Sequence, residues 1–215
     1  GVRFSEEITA GKYGWIWEPG SGERYRIDAE NGKSYRLRLG PAESRIFVFD
    51  MTRGGKKWMD IPYGGTENTI VEGPWDLELI HCRGAKTQAL QLDTLRDLKD
   101  IPACSDFSGT IIYRKRIGVS DFLPAWMNLG SVYNISELFI NGKPAGLRWY
   151  GDHIYRVGKL FHRGENDVEI RVVTLMGNYM KSLEDNPNAQ YWTNLDRKNQ
   201  PPVSMGLIGP LSIYR

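Results

Sequence analysis

Two stretches carry side chains of types and spacing that suit chemistry with a saccharide. One is Trp149-Tyr150-Gly151-Asp152-His153-Ile154-Tyr155, which sets aromatic rings beside a carboxylate and an imidazole. The other, residues 178–199, holds Asn178, Tyr179, Asp185, Asn186, Asn188, Tyr191, Trp192 and Asn194. Sugars present apolar C–H faces that pack on aromatic rings, and their hydroxyls demand planar amide and carboxylate partners. Binding residues of this kind concentrate on loops held by a rigid scaffold. A loop of more than about 20 residues in a compact domain is uncommon and often functional or interfacial. The candidate carbohydrate-binding residues are therefore Trp149, Tyr150, His153, Asn178, Tyr191, Trp192 and Asn194. Each has a plainer alternative. Trp149 could pack under a sheet, the long loop could dock against a neighbouring domain, and a histidine in such a setting is more often structural than a ligand.

Other chemistries find less support. Glycoside hydrolysis needs two carboxyl groups roughly 5 to 9.5 Å apart across the scissile bond, and the 26 acidic residues offer no means of pairing two of them. Asp93, Asp97 and Asp100 sit where solvation or helix capping accounts for them. His81, His153 and His162 have no helical or hairpin metal spacing. No serine stands in a Gly-x-Ser-x-Gly elbow. Asn31-Gly32-Lys33-Ser34 resembles the end of a phosphate loop, but Ile27 occupies the place of the required first glycine. Asn134-Ile135-Ser136 is formally a glycosylation sequon. Cys82 and Cys104 match no metal or redox motif, and two unpaired or buried thiols are expected in preference to a bridge.

A formal net charge of +2, from 28 basic and 26 acidic residues that alternate along the chain, calls for neither nucleic acid nor an anionic membrane as partner. No apolar run approaches the roughly 20 residues of a membrane span. Gly1 opens into polar, strand-like sequence with no visible leader, which suggests a processed chain or a piece of a longer one. The N-terminus does not reveal the compartment.

The elements that would hold the two loops are short strands. Asn141-Gly142, between Leu138-Phe139-Ile140 and the return segment Lys143 to Trp149, is a primed hairpin signal. Gly164-Glu165-Asn166-Asp167 turns into Val168 to Val173, where Val168, Ile170 and Val172 share one face and Glu169 and Arg171 the other. Trp75, Leu77 and Leu79 alternate likewise, and Ile111 to Ile117 reads as a further strand. Leu92, Leu95 and Leu98 predict a short helix begun by Asp93 or Thr94. Upstream, Trp15-Ile16-Trp17, Tyr25-Arg26-Ile27 and the alternating Tyr35, Leu37 and Leu39 read as strands. Asn31-Gly32 predicts a hairpin, and Arg45 to Phe49 a strand buried on both faces. Gly54-Gly55 through Gly64-Gly65 reads as a linker, placing a boundary near residue 70. Many short strands without a long helical period predict an all-β chain of sandwiches.

Gly73-Pro74-Trp75, Phe107-Ser108-Gly109-Thr110-Ile111-Ile112-Tyr113, Leu129-Gly130, Glu137-Leu138-Phe139-Ile140-Asn141-Gly142, Gly164-Glu165-Asn166 and Gly206-Leu207-Ile208-Gly209-Pro210 follow one another in order. In this the chain resembles the galactose-binding-like jelly roll, the sugar-binding domain of β-galactosidase-type glycoside hydrolases. Before it, Glu18-Pro19-Gly20-Ser21-Gly22-Glu23 and Leu39 to Phe49 look like the closing strands of the β-sandwich that precedes a C-terminal jelly roll in large bacterial α-L-rhamnosidases. The resemblance implies an all-β fold, with residues 1–70 part of a preceding, smaller β-sandwich and residues 71–215 a galactose-binding-like jelly roll. It implies a non-catalytic C-terminal accessory region that braces a catalytic domain of the same chain and contacts carbohydrate. The catalytic carboxylates would then lie upstream, with none in this chain. It further implies a periplasmic or extracellular location, no cofactor, and room for a structural calcium without an assigned ligand set. An autonomous carbohydrate-binding module is the alternative, and a complete small glycosidase a third reading.

Overall fold

The computed structural model describes residues 3–30, 34–40, 42–62, 64 and 65, 67–84, 87–192, 199 and 201–215. The chain divides into two compact units, Gly1–Pro62 and Tyr63–Arg215.

In the first unit a helical turn, α1 (Glu6–Thr9), precedes strands β1 (Tyr13–Trp17), β2 (Arg24–Ile27) and β3 (Ile46–Asp50). They form an antiparallel sheet in the order β2-β1-β3. Phe4, Tyr35, Phe47 and Phe49 meet at centroid distances of 4.9 to 5.8 Å, mostly edge to face, an arrangement aromatic quadrupoles favour. The Tyr35-Leu37-Leu39 alternation does not become a strand. Tyr35 is buried, while Leu39 is exposed, and Ser34 and Tyr35 are in isolated bridges, that of Ser34 to Glu30. Asn31 and Gly32 lie outside the described residues. The strand expected over Arg45 to Phe49 forms, but it is not buried on both faces. It is an edge strand with one neighbour, and Ile46 at its start is exposed.

The second unit is the all-β sandwich expected from the strand pattern. Strands β5 (Trp75–His81), β6 (Gln88–Leu92), β7 (Gly109–Val119), β10 (Ile135–Ile140), β11 (Lys143–Arg148) and β13 (Gly164–Val173) form one antiparallel sheet, in the order β11-β10-β13-β7-β5-β6. Strands β4 (Asn68–Ile70), β8 (Trp126–Asn128), β12 (Ile154–Arg156) and β15 (Ser212–Tyr214) form a second, in the order β12-β8-β15-β4. Strands β9 (Ser131–Tyr133) and β14 (Gly206–Gly209) make a two-stranded ribbon. Because Asn68–Ile70 pairs with Ser212–Tyr214, those residues belong to the second unit, upstream of the seam expected near residue 70.

Alternation places Trp75, Leu77 and Leu79 of β5, Ile111 and Tyr113 of β7, Leu138 and Ile140 of β10, and Val168, Ile170 and Val172 of β13 in the core. Met127 of β8, Tyr155 of β12 and Ile213 of β15 belong to the same cluster. The expected helix at Leu92 to Leu98 is instead the end of β6 followed by a 3-10 turn over Leu98–Asp100. Asp97 caps that turn, its Oδ1 accepting from the Lys99 backbone N–H at 3.1 Å and from that of Met205 at 2.9 Å. The same carboxylate pairs with Lys99 Nζ at 2.7 Å. Asp97→Asn is expected to cost about 1–2 kcal/mol of stability at pH 7, because charge-assisted bonds at a nearly buried site become neutral ones. Equilibrium urea unfolding measures it.

The two turn signals of the sequence are joined in space. Asn141 (φ +52°) and Gly142 (φ +74°) make the hairpin turn with positive φ at both central residues. Asn141 Nδ2 donates to Asn166 Oδ1 at 2.9 Å and to the Leu160 carbonyl at 3.0 Å, and its Oδ1 accepts from Asp167 N–H at 2.9 Å. At Gly130 a Cβ would lie 2.5 Å from the Gly209 carbonyl carbon and the Pro210 oxygen. Two separate glycine-containing motifs are therefore in backbone contact there.

Candidate functional site

The loop joining edge strand β11 to β12 presents Trp149 outward at 60% exposure. Tyr150, half-buried, packs edge-on against its ring with centroids 4.5 Å apart. Gly151, at φ +73°, turns the chain back toward β12. A supported but exposed indole is a flat apolar platform whose use by a ligand costs little ordering. Arg148, the last residue of β11, lies with its guanidinium carbon 5.6 Å from the Tyr155 ring centroid. Arg148 stands directly before Trp149 in the sequence, and that adjacency is the signal for it.

His153 points the other way. It is 7% exposed, and its Nδ1 lies 2.5 Å from Ser136 Oγ. Ser136 is fully buried and also meets the Tyr155 hydroxyl at 2.6 Å, while that hydroxyl donates to the Ser136 carbonyl at 2.9 Å. Burial, aided by the Arg148 charge and opposed by Asp152, pushes the His153 imidazole down to about 4. Burial pushes the Tyr155 phenol up to about 12. At neutral pH this serine–histidine–tyrosine set is an uncharged hydrogen-bonded network inside the sandwich. It lies behind the Trp149 loop instead of facing a ligand, and the buried Ser136 Oγ has no route to a substrate as a nucleophile.

Residues 177–192 are not irregular throughout. They contain helix α2 (Gly177–Ser182) and helix α3 (Pro187–Trp192), the latter capped by Asn186, whose Oδ1 accepts from Asn188 and Ala189 N–H at 3.1 Å. Asn178 is buried. Its Nδ2 donates to the Val203 carbonyl and its Oδ1 accepts from Val203 N–H, each at 2.9 Å. The amide thus ties the helical segment to the chain entering β14. Tyr191 is 77% exposed. Trp192 closes α3 with its side chain outside the described part, and Asn194 lies outside the described residues. The structure therefore brings Trp149 and Tyr150 together on the surface, puts His153 behind them, and gives Asn178 to a backbone clamp.

A groove of about 880 Å³ runs over the outer face of the six-stranded sheet, lined among others by Asp76, Arg114, Phe139, Asp167, Glu169 and Arg171. Its carboxylates are engaged. Glu169 accepts from Arg114 at 2.8 Å and pairs with Arg171 at 2.7 Å, Asp167 pairs with Arg116 at 3.2 Å, and Asp76 accepts from Gln91 at 2.8 Å. Burial acts to raise the Glu169 carboxyl, but its bonds to Arg114 and Arg171 outweigh that and hold it below the usual range. A general acid for glycoside cleavage needs a raised value, so Glu169 is placed as an ion-pair residue. Among the described residues no three His, Cys, Asp or Glu side chains are grouped to hold a metal ion. Cys82 is exposed, Cys104 is buried, and both are free. Among the described residues no helix is long and apolar enough to cross a membrane.

No family model matches the chain. A curated protein of Formosa agariphila named "Putative beta-glucuronidase" is 30% identical over 251 aligned residues, which cover 89% of this chain and 21% of that protein. The solved structure of a rhamnosidase from Novosphingobium sp. PP1Y matches with a TM-score of 0.71 at 24% identity, covering 96% of this chain and 21% of that one. The chain thus spans about a fifth of the length of each, and nearly all of its fold recurs within a much longer polypeptide.

Proposed function

We propose that this chain is a non-catalytic accessory region of a glycoside hydrolase of α-L-rhamnosidase-like organisation. Its sandwich braces the catalytic domain of the same polypeptide and holds Trp149 where a glycan can stack on it. The observation that carries the carbohydrate part is the Trp149–Tyr150 pair, an indole 60% exposed yet held edge-on by a neighbouring ring. The accessory part draws support from the matches to relatives named for glycosidase activities, each about five times the length of the matched portion. The second unit is read as a galactose-binding-like jelly roll, with catalytic carboxylates on another domain. The partners are an oligo- or polysaccharide and that domain, not nucleic acid or a membrane, in a periplasmic or extracellular setting.

Calorimetric titration with rhamnose-containing oligosaccharides and plant polysaccharides tests the reading. Trp149→Ala is expected to weaken binding at least about tenfold, equivalent to about 1.4 kcal/mol. The unfolding midpoint should stay within about 2 °C, because so exposed a side chain contributes little to the core. Absence of binding to any glycan would remove the carbohydrate role and leave bracing alone. Hydrolysis of an aryl glycoside by this chain would overturn the non-catalytic assignment.

A further inference from the structure

The four arginines on the six-stranded sheet are Arg114, Arg116, Arg148 and Arg171. Three are ion-paired: Arg114 with Glu78 and Glu169, Arg116 with Asp167, and Arg171 with Glu169 and Glu137. Arg148 is different. Among the described residues no carboxylate oxygen, that of Asp152 in the adjoining loop included, lies within 4.0 Å of its guanidinium nitrogens. Its contacts are the Tyr155 ring, 5.6 Å from its guanidinium carbon, and one long bond from Nη1 to the Leu147 carbonyl at 3.4 Å. Arg148 is half-buried. A guanidinium has five N–H donors in a rigid fork that matches a two-oxygen anion. Here one donor is weakly used, and the aromatic ring restricts the side chain without neutralising it.

The setting favours a ligand over a structural role. Arg148 is the last residue of an edge strand and Trp149 the first of the loop, so their Cα atoms are about 3.8 Å apart. Behind them the serine–histidine–tyrosine network is neutral and supplies no counter-charge. The other three guanidinium groups of the same sheet are matched by carboxylates. We propose that Arg148 and Trp149 form a subsite for an anionic sugar residue. The indole takes the ring's apolar face, and the guanidinium donates two hydrogen bonds to a carboxylate or sulfate ester. This rests on the carbohydrate-binding reading above and names the class of sugar.

The test compares oligogalacturonides, sulfated galactan oligosaccharides and neutral galactan oligosaccharides of equal length, titrated into the 215-residue chain, Arg148→Gln, Arg148→Lys and Trp149→Ala. The wild type is expected to bind at least one anionic series about tenfold more tightly than the neutral one, the scale of a charge-assisted bidentate contact. Which anionic series binds identifies carboxylate or sulfate as the recognised group. Arg148→Gln abolishes that preference, bringing the affinity for the anionic series down to that for the neutral one. Arg148→Lys retains part of the preference, and provides the reading should Arg148→Gln unfold. Raising salt from 0.05 to 0.5 M weakens anionic binding in the wild type more than in Arg148→Gln. Equal affinity for all three series, or a preference that survives Arg148→Gln, overturns the anionic subsite while the carbohydrate role stands. No binding to any of the three series overturns the anionic subsite, and the carbohydrate role falls with it only where rhamnose-containing oligosaccharides and plant polysaccharides also fail to bind or bind Trp149→Ala equally well.

Discussion

Asn166→Asp is expected to lower the unfolding free energy at pH 7 by about 3–4 kcal/mol, although it changes one atom. Asn166 is fully buried. Its Nδ2 donates to the His162 carbonyl at 2.8 Å and to the Gly164 carbonyl at 2.9 Å. Its Oδ1 accepts from His162 N–H at 3.0 Å and from Asn141 Nδ2 at 2.9 Å. An aspartate keeps the accepting half and replaces two donors with a charged oxygen facing two carbonyl oxygens. The folded state therefore favours the protonated acid, raising the introduced group above its unfolded value of about 3.9. The penalty is full above the folded value and shrinks as pH falls toward the unfolded one. Urea unfolding of mutant and wild type at matched pH measures the difference. A loss below about 1 kcal/mol at pH 7, or one that does not shrink on acidification, would contradict the hub assigned to Asn166. A double-mutant cycle with Asn141→Ala isolates the bond between the two turns, where coupling above about 0.5 kcal/mol is expected.

That bond shows what the sequence leaves hidden. Asn141-Gly142 and Gly164-Glu165-Asn166 each read as a turn because turn chemistry is local: positive φ favours Asn and Gly. The link between them spans 25 residues, and no local rule pairs two amides across that distance. Strands were legible wherever one face meets the core and the other meets water, as in Trp75-Leu77-Leu79 and Val168-Ile170-Val172. The same reasoning failed for Tyr35, Leu37 and Leu39, where among the described residues the backbone makes isolated bridges and no strand. Helices α2 and α3 were read as loop because each is only six residues long, too short to display a 3.6-residue period. In the candidate site, the exposed aromatic loop was legible from composition. The fates of Asn178 and His153 were not, since a polar side chain looks alike in sequence whether it meets solvent, a backbone clamp at Val203 or a buried serine.

His153 makes that difference measurable. Stability is expected to fall by about 1–2 kcal/mol between pH 7 and pH 5 through this residue alone. In the unfolded chain the imidazole takes up a proton near 6.5, whereas burial holds the folded group down to about 4. Between those values the unfolded state binds a proton that the folded state does not, so stability decreases as pH falls. The contribution is fully present above about 6.5, declines through the window, and changes no further below about 4. The groups bearing on it are Arg148, which deepens the depression, and Asp152, which opposes it. Ser136 Oγ, 2.5 Å from Nδ1, is neutral. His153→Asn should cost stability at pH 7 by disturbing the Ser136–Tyr155 network, yet flatten the decline between pH 6.5 and 4. Urea titrations at half-unit pH steps on both proteins separate the two effects. If the decline is equally steep in His153→Asn, the titrating group lies elsewhere and the imidazole takes up its proton over the same pH range in the folded and unfolded chains. If it flattens, the Trp149 loop rests on a neutral histidine whose charging at acid pH would loosen the platform from beneath.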